Sequence, residues 1–172
     1  MRSIYLTGFM GAGKTTAGIA LGNAMGMRVF DSDAEIERQQ QQTITAIFAE
    51  RGEEAFRNME SQMLQSLPKQ NCIITTGGGI ILKRENRIWL ANHGHWVYLH
   101  CEPDEISRRL ASDESRPLLS GERKNNLRHM FEERLPLYLE APIVVDTTGK
   151  RMDEIVKDIR KRINEAEIEH TV

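Results

Sequence analysis

The stretch Gly8-Phe9-Met10-Gly11-Ala12-Gly13-Lys14-Thr15 fits the pattern G-x-x-x-x-G-K-[ST], which turns backbone N–H groups onto nucleotide phosphates. Phosphate oxygens need several donors converging at close range, and a glycine-rich backbone can supply them without Cβ clashes. The expected phosphate-binding residues are Gly11, Ala12, Gly13, Lys14, Thr15 and Thr16, with Lys14 reaching the β/γ-phosphates and the Thr15 hydroxyl ligating Mg²⁺. The surroundings agree. Ile4-Tyr5-Leu6 reads as a short buried strand entering the loop, and Lys14 to Met25 as a helix leaving it, with Ala17, Ala20, Leu21 and Ala24 at helical spacing and Gly26 as its cap.

Outward from this loop, strands and helices alternate. Arg28-Val29-Phe30 reads as a second strand that ends in Asp31-Ser32-Asp33, with a helical stretch through Ile36 and a glutamine run, Gln39 to Gln42, as an exposed helix end. Thr43 reads as the N-cap of a short helix closed by Gly52, and Glu53 to Leu67 as another helix, ended by Pro68. Cys72 to Thr75 forms a third strand running into Thr76-Gly77-Gly78-Gly79, where something can approach the backbone closely. A helix over 84–93, a strand Trp96 to Leu99 and a helix Pro103 to Ala111 follow. Ser112 to Asn126 is polar and broken by Pro117 and Gly121, so it is expected to be a long lid-like loop. A helix bearing Met130, Arg134 and Leu135, a fifth strand Ile143 to Val145 and a charged amphipathic helix from Met152 to about Ala166 complete the chain. Such alternation predicts an α/β, three-layer fold with a five-stranded parallel sheet flanked by helices.

At 172 residues the chain is expected to be one domain. Its 23 basic and 25 acidic residues leave a formal charge of -2, which gives no reason to expect a nucleic-acid partner. Cys72 and Cys101 lack metal-like spacing and suit a reducing compartment; His93, His95, His100, His129 and His170 show no ligand spacing. No stretch approaches the ~20 apolar residues of a membrane span and no h-region with a cleavage site follows the opening apolar run, so a cytoplasmic protein with no membrane partner is expected. A monomer is expected as well, though nothing in the sequence gives the oligomeric state.

A phosphate loop alone serves kinases, GTPases and motors. No N-K-x-D guanine-reading sequence occurs, and the third strand ends in glycines instead of the aspartate that helps hold Mg²⁺ in motors and GTPases. The remaining carboxylates are Asp31 and Asp33, and a small phosphotransferase fits best. At this point the chain resembles the shikimate kinases, a branch of the nucleoside-monophosphate-kinase-like P-loop proteins. The resemblance covers nearly the whole chain and rests on the loop Gly8 to Thr15, Asp31-Ser32-Asp33, Phe56-Arg57 with Glu60, Gly77-Gly78-Gly79, Arg116-Pro117-Leu118-Leu119 and Arg134-Leu135-Pro136-Leu137-Tyr138.

The resemblance implies transfer of the γ-phosphoryl of ATP to the 3-hydroxyl of shikimate, with ATP/ADP and shikimate as partners and Mg²⁺ as cofactor. It implies that Asp31 supports the metal with Thr15, that Asp33 holds the acceptor hydroxyl and takes its proton, and that Arg57, Gly78, Gly79 and Arg134 grip the acceptor while Glu60 orients Arg57. Arg116 would swing in with a lid at about 112–126, Arg109 would lie against adenine, and residues 33–61 would form the acceptor-binding helical region.

Read without the resemblance, several of these residues have plainer accounts. Asp31 and Asp33 suit a helix N-terminus. Arg57, four residues after Glu53 and three before Glu60, fits an exposed ion-pair ladder, as does Arg134 beside Glu133, and Arg116 could be an ordinary loop arginine. Two other functions stay open: a related small kinase for another anionic hydroxylated metabolite such as gluconate, and a nucleotide-binding regulatory module without catalysis.

Overall fold

The computed structural model describes residues 1–111 and 121–169, the last including only the backbone of 121–123 and 169. The strands β1 (Ser3–Thr7), β2 (Arg28–Asp31), β3 (Cys72–Thr75), β4 (Gly94–His100) and β5 (Ile143–Asp146) form one sheet, ordered β2-β3-β1-β4-β5. Every pairing is parallel, with Tyr5 opposite Ile74 on one side and Trp96 on the other. β1 is central, so the loop that leaves it sits at the carboxyl edge where neighbouring connections diverge, the usual crevice for ligands in such sheets.

The period of two along each strand sorts the core into two layers. Ile4, Leu6, Ile73, Val97, Leu99 and Val145 face α1 (Lys14–Met25) and α7 (Met152–Glu169). Tyr5, Ile74, Trp96 and Tyr98 face the other way, toward α2 (Ser32–Gln40), α3 (Ile44–Ser66), α4 (Arg84–His93), α5 (Pro103–Ala111) and α6 (Gly121–Tyr138). Both faces of β1 are thus covered, which explains why it reads as a continuous buried run.

Three local expectations are revised, and one, the break at Gly52, holds. The buried side of α1 is Ala17, Gly18, Leu21 and Gly22, while Ala24 is exposed. A Cβ at Gly18 would strike the Thr75 methyl and one at Gly22 the Val29 side chain, so two glycines let the helix lie close on the sheet. As expected, Gly52, non-helical at φ 81 and ψ 172, divides the span of α3 into two helices that meet at a kink. Residues 121–126, expected as loop, begin α6, because Lys124 and Arg128 pair with Asp104 of α5 and Leu127 and Phe131 bury one turn apart. The last helix runs three residues beyond Ala166. The glutamine run is the exit of α2, where Gln41 adopts a left-handed cap at φ 52. Cys72 and Cys101 are buried free thiols, and no helix among the described residues is long and apolar enough to cross a membrane.

Candidate active site

The phosphate loop joins β1 to α1 with Gly11 and Gly13 at positive φ, 76° and 88°. Gly13 is the N-cap of α1 and contributes no side chain, so the first N–H groups of the helix are left for an anion. Lys14 curls back, its Nζ donating to the carbonyls of Gly8 (2.8 Å) and Phe9 (3.0 Å). Burial pushes its ammonium down to about 8, while Asp33 and then Asp31 hold it up. An arriving phosphate would add negative charge directly at this half-buried ammonium, which now bonds only neutral carbonyls. Arg109 of α5 reaches over the same loop, donating to the Gly11 carbonyl (3.4 Å) and held by Glu105 (3.1 Å).

Asp31 caps a helix with one oxygen and faces the phosphate loop with the other. Its Oδ1 caps α2, accepting from the N–H groups of Asp33 (3.0 Å) and Ala34 (3.1 Å). Its Oδ2 accepts from the hydroxyls of Thr75 (2.9 Å) and Thr15 (3.3 Å). A hydroxyl and a carboxylate oxygen side by side at the head of a phosphate loop are the hard donors Mg²⁺ takes, with water and phosphate completing its shell. The residues present therefore fit the ion.

Across the crevice, Asp33 opens α2, and its Oδ1 is buried with no hydrogen-bond partner among the described residues. Burial, then the Asp31 carboxylate, pushes the Asp33 carboxyl up to about 6 against the pull of Lys14 and Arg57. The glycine run packs on this group. A Cβ at Gly77 would collide with both Asp33 carboxylate oxygens and crowd Glu60, and one at Gly79 would run into the Arg57 guanidinium. None of the three glycines has positive φ, so Gly77 and Gly79 are required here for close approach and not for backbone freedom.

Arg57 keeps its ion-pair ladder and is nonetheless part of the site. It bonds Glu60 (2.6 Å) and Glu53 (3.2 Å), with its side chain only 15% exposed. Glu60 is 1% exposed; burial pushes its carboxyl up, and the hydrogen bond and charge of Arg57 pull it back. A ladder on a solvated face would not bury one carboxylate beneath a glycine turn. Arg134 does not pair with Glu133, whose partner is His129 (3.3 Å). Instead its guanidinium lies 6.0 Å from the ring centre of Phe9, within the electrostatic reach of Glu60.

The structure thus brings Lys14, Thr15, Asp31, Asp33, Arg57, Glu60, Gly78, Gly79, Arg109 and Arg134 to one sheet edge. Arg116 lies outside the described residues. Sequence reasoning missed the parts played by Gly77 and Thr75. Gly77 was legible as the first of the run, whereas Thr75 was read only as a strand residue, and nothing local says that its hydroxyl crosses to Asp31.

A phosphate loop on the central strand, facing paired carboxylates and two arginines, defines a small P-loop phosphotransferase. Comparison with known proteins narrows the class. The family model described as shikimate kinase matches residues 10–164. A shikimate kinase of Bacillus cereus is 50% identical over 165 residues, covering 96% of this chain and all of that protein. The structure of a shikimate kinase from Acinetobacter baumannii in complex with shikimate superposes with a TM-score of 0.87 at 36% identity, covering 96% of this chain and 94% of the other. The chain belongs to the shikimate kinase family. A gluconokinase of Sinorhizobium meliloti shares the fold at a TM-score of 0.59 and 20% identity, covering 91% and 87% of the two chains, and speaks for fold alone.

Proposed function

We propose that this family member transfers the γ-phosphoryl of ATP to the 3-hydroxyl of shikimate, with Asp33 receiving the hydroxyl and Arg57 and Arg134 holding the acceptor carboxylate. The observation that carries the assignment is the buried, unpartnered Oδ1 of Asp33, set between Lys14 on one side and the Arg57–Glu60 pair on the other. A buried carboxylate oxygen without a partner costs stability unless a ligand completes it, and an acceptor hydroxyl does so by donating to it.

Phosphoryl transfer passes through a loose transition state, so positioning and charge compensation matter more than a strong base. The acceptor oxygen attacks the γ-phosphorus, the bond to the β–γ bridging oxygen breaks, and ADP departs with that oxygen. The acceptor proton passes to Asp33, whose carboxyl at about 6 is ionised at neutral pH and still able to take it. Lys14 offsets charge on the transferring group, and the N–H groups of the loop hold the phosphates. Thr15 and Asp31 would hold Mg²⁺, which when bound neutralises the β/γ-phosphate oxygens. Glu60 fixes the Arg57 fork, and Arg109 would border the adenine.

The whole chain acts as one kinase domain in this reading, with 33–61 as the acceptor region and 112–126 as a lid that includes Arg116 and the first turn of α6. A monomeric, cytoplasmic setting goes with it, the two free cysteines being in keeping with a reducing compartment. Neither a gluconate kinase nor a module without catalysis accounts for both the family match and the paired arginines.

Release of ADP with and without shikimate tests the reaction, and the acceptor residues have their own test. Charge-assisted forks contribute about 1.5–3 kcal/mol each. Arg57→Lys and Arg134→Lys keep the charge but lose the planar donors, so each raises the shikimate KM by roughly ten- to a hundredfold while the ATP KM moves much less. An unchanged shikimate KM in both folded variants removes the carboxylate clamp.

A further inference from the structure

The middle glycine of the run is tied to a residue that the phosphoryl transfer itself does not use. Tyr138, the last residue of α6, is fully buried, and its hydroxyl donates to the Gly78 carbonyl. Its ring lies flat on Tyr98, with centroids 4.9 Å apart and planes 7° apart, and the Tyr98 hydroxyl in turn meets His100 Nδ1 at 3.0 Å. Burial pushes the Tyr138 phenol far above neutral, so it remains a donor.

The neighbouring carbonyls are already committed. Gly77 O accepts from Ile80 N (3.2 Å) and Gly79 O from Leu82 N (3.0 Å), opening a short 3₁₀ turn. The Gly78 carbonyl therefore takes its direction from the phenol. In a planar trans peptide the Gly79 N–H points opposite to the Gly78 carbonyl, so whatever aims one aims the other. Between two glycines that peptide can rotate at little steric cost, and no side chain on either residue resists it. The peptide also sits at a junction: the Cβ position of Gly78 lies 3.5 Å from Met10 N and 3.6 Å from Gly8 O, the carbonyl that Lys14 occupies, while Gly79 abuts the Arg57 guanidinium.

We infer that Tyr138 is a positioning residue for the acceptor: by holding the Gly78 carbonyl it aims the Gly79 N–H into the acceptor site and fixes the wall against which Arg57 is set. The same bond ties that wall to α6, the helix that carries Arg134, so two groups proposed to grip one carboxylate are kept in register. This inference rests on the placement of the acceptor beside Arg57, Gly79 and Arg134.

Steady-state kinetics of Tyr138→Phe tests it, since the variant keeps the stack on Tyr98 and removes only the hydroxyl. The shikimate KM is expected to rise about three- to tenfold, as for loss of one neutral hydrogen bond, with the ATP KM and kcat within about twofold of the parent. Tyr98→Phe, which keeps the stack but does not touch Gly78, should leave all three unchanged. An unchanged shikimate KM in Tyr138→Phe overturns the role, as does a loss of thermal stability accompanied by equal changes in both KM values. Arg57→Lys measured in the same series separates the two ideas: if it raises the shikimate KM and Tyr138→Phe does not, only the positioning role falls, and if neither does, the acceptor placement falls and the role with it. Should Tyr138→Phe not fold, the unaltered protein still decides, because the Gly79 amide resonance must shift on shikimate addition, and a stationary resonance overturns the inference.

Discussion

At the scale of single residues the site works by withholding partners. Lys14 is half-buried and pushed down to about 8, Asp33 is half-buried and pushed up to about 6, and each is the other's nearby opposite charge. Asp33 must be ionised to receive a proton, so activity is lost as the pH falls through about 6; Lys14 must be protonated to offset phosphate charge, so activity is lost as the pH rises through about 8. The pH profile of kcat/KM, which reports the free enzyme, should therefore be a bell with limbs near those values. In the profile of kcat the alkaline limb should move upward, because bound phosphate favours the charged lysine. A flat kcat/KM profile between pH 6 and 8 with no fall on either side would separate these two groups from the rate. Lys14→Ala should fold and lose on the order of a hundredfold or more in kcat, since it removes charge compensation at the transferring group. Near-normal turnover by that variant would take the lysine out of the mechanism. Lys14, Thr15 and the loop glycines were legible from spacing alone, because the motif is local. Arg57 was not, since its local geometry with Glu53 and Glu60 is that of any helical ladder, and only the turn from β3 laid over it sets it at the edge of the crevice.

At the scale of elements, α1 is the piece that connects core packing to chemistry. It lies on the sheet through Gly18 and Gly22, and the group that Gly18 packs on is the methyl of Thr75, whose hydroxyl holds Asp31. Gly18→Ala improves helix propensity by up to about 1 kcal/mol, yet its Cβ overlaps the Thr75 methyl, and overpacking costs about 1–3 kcal/mol. Net destabilisation in chemical denaturation is expected, together with a higher Mg²⁺ requirement as Thr75 is displaced from Asp31. A variant more stable than the parent, with unchanged Mg²⁺ dependence, would show that the contact relaxes freely. The helical periodicity of α1 was visible in the sequence, but its buried face was partly misread, because glycine carries no hydrophobic signal and marks a face only when a neighbouring element is known. The start of α6 was hidden for a related reason. Its first turns are polar, and they are held by Asp104 of α5, a partner in a different helix.

For the whole molecule, folding leaves the nucleotide crevice with a half-buried cation turned onto its own loop carbonyls, and a ligand that binds only the folded state stabilises it by mass action. ADP at about a hundred times its Kd should add about 2.7 kcal/mol, a rise in melting temperature of roughly 5–11 °C for a chain of this size, whereas adenosine, lacking phosphates, should add far less. Equal shifts from the two would mean that the phosphate loop contributes little to nucleotide binding. The amino-acid sequence by itself determined the phosphate loop, the alternation of strands and helices, and hence the parallel sheet with its ligand edge, because these depend on neighbours within one or two turns of chain. Only the tertiary structure decided that Thr75 reaches Asp31, that Gly77 and Gly79 press on Asp33 and Arg57, and that Tyr138 caps the Gly78 carbonyl. Those contacts join residues 22 to 60 positions apart, and the hydrogen bonds and steric limits that define them arise only when β1, β3, α2, α3 and α6 are brought to one edge of the sheet.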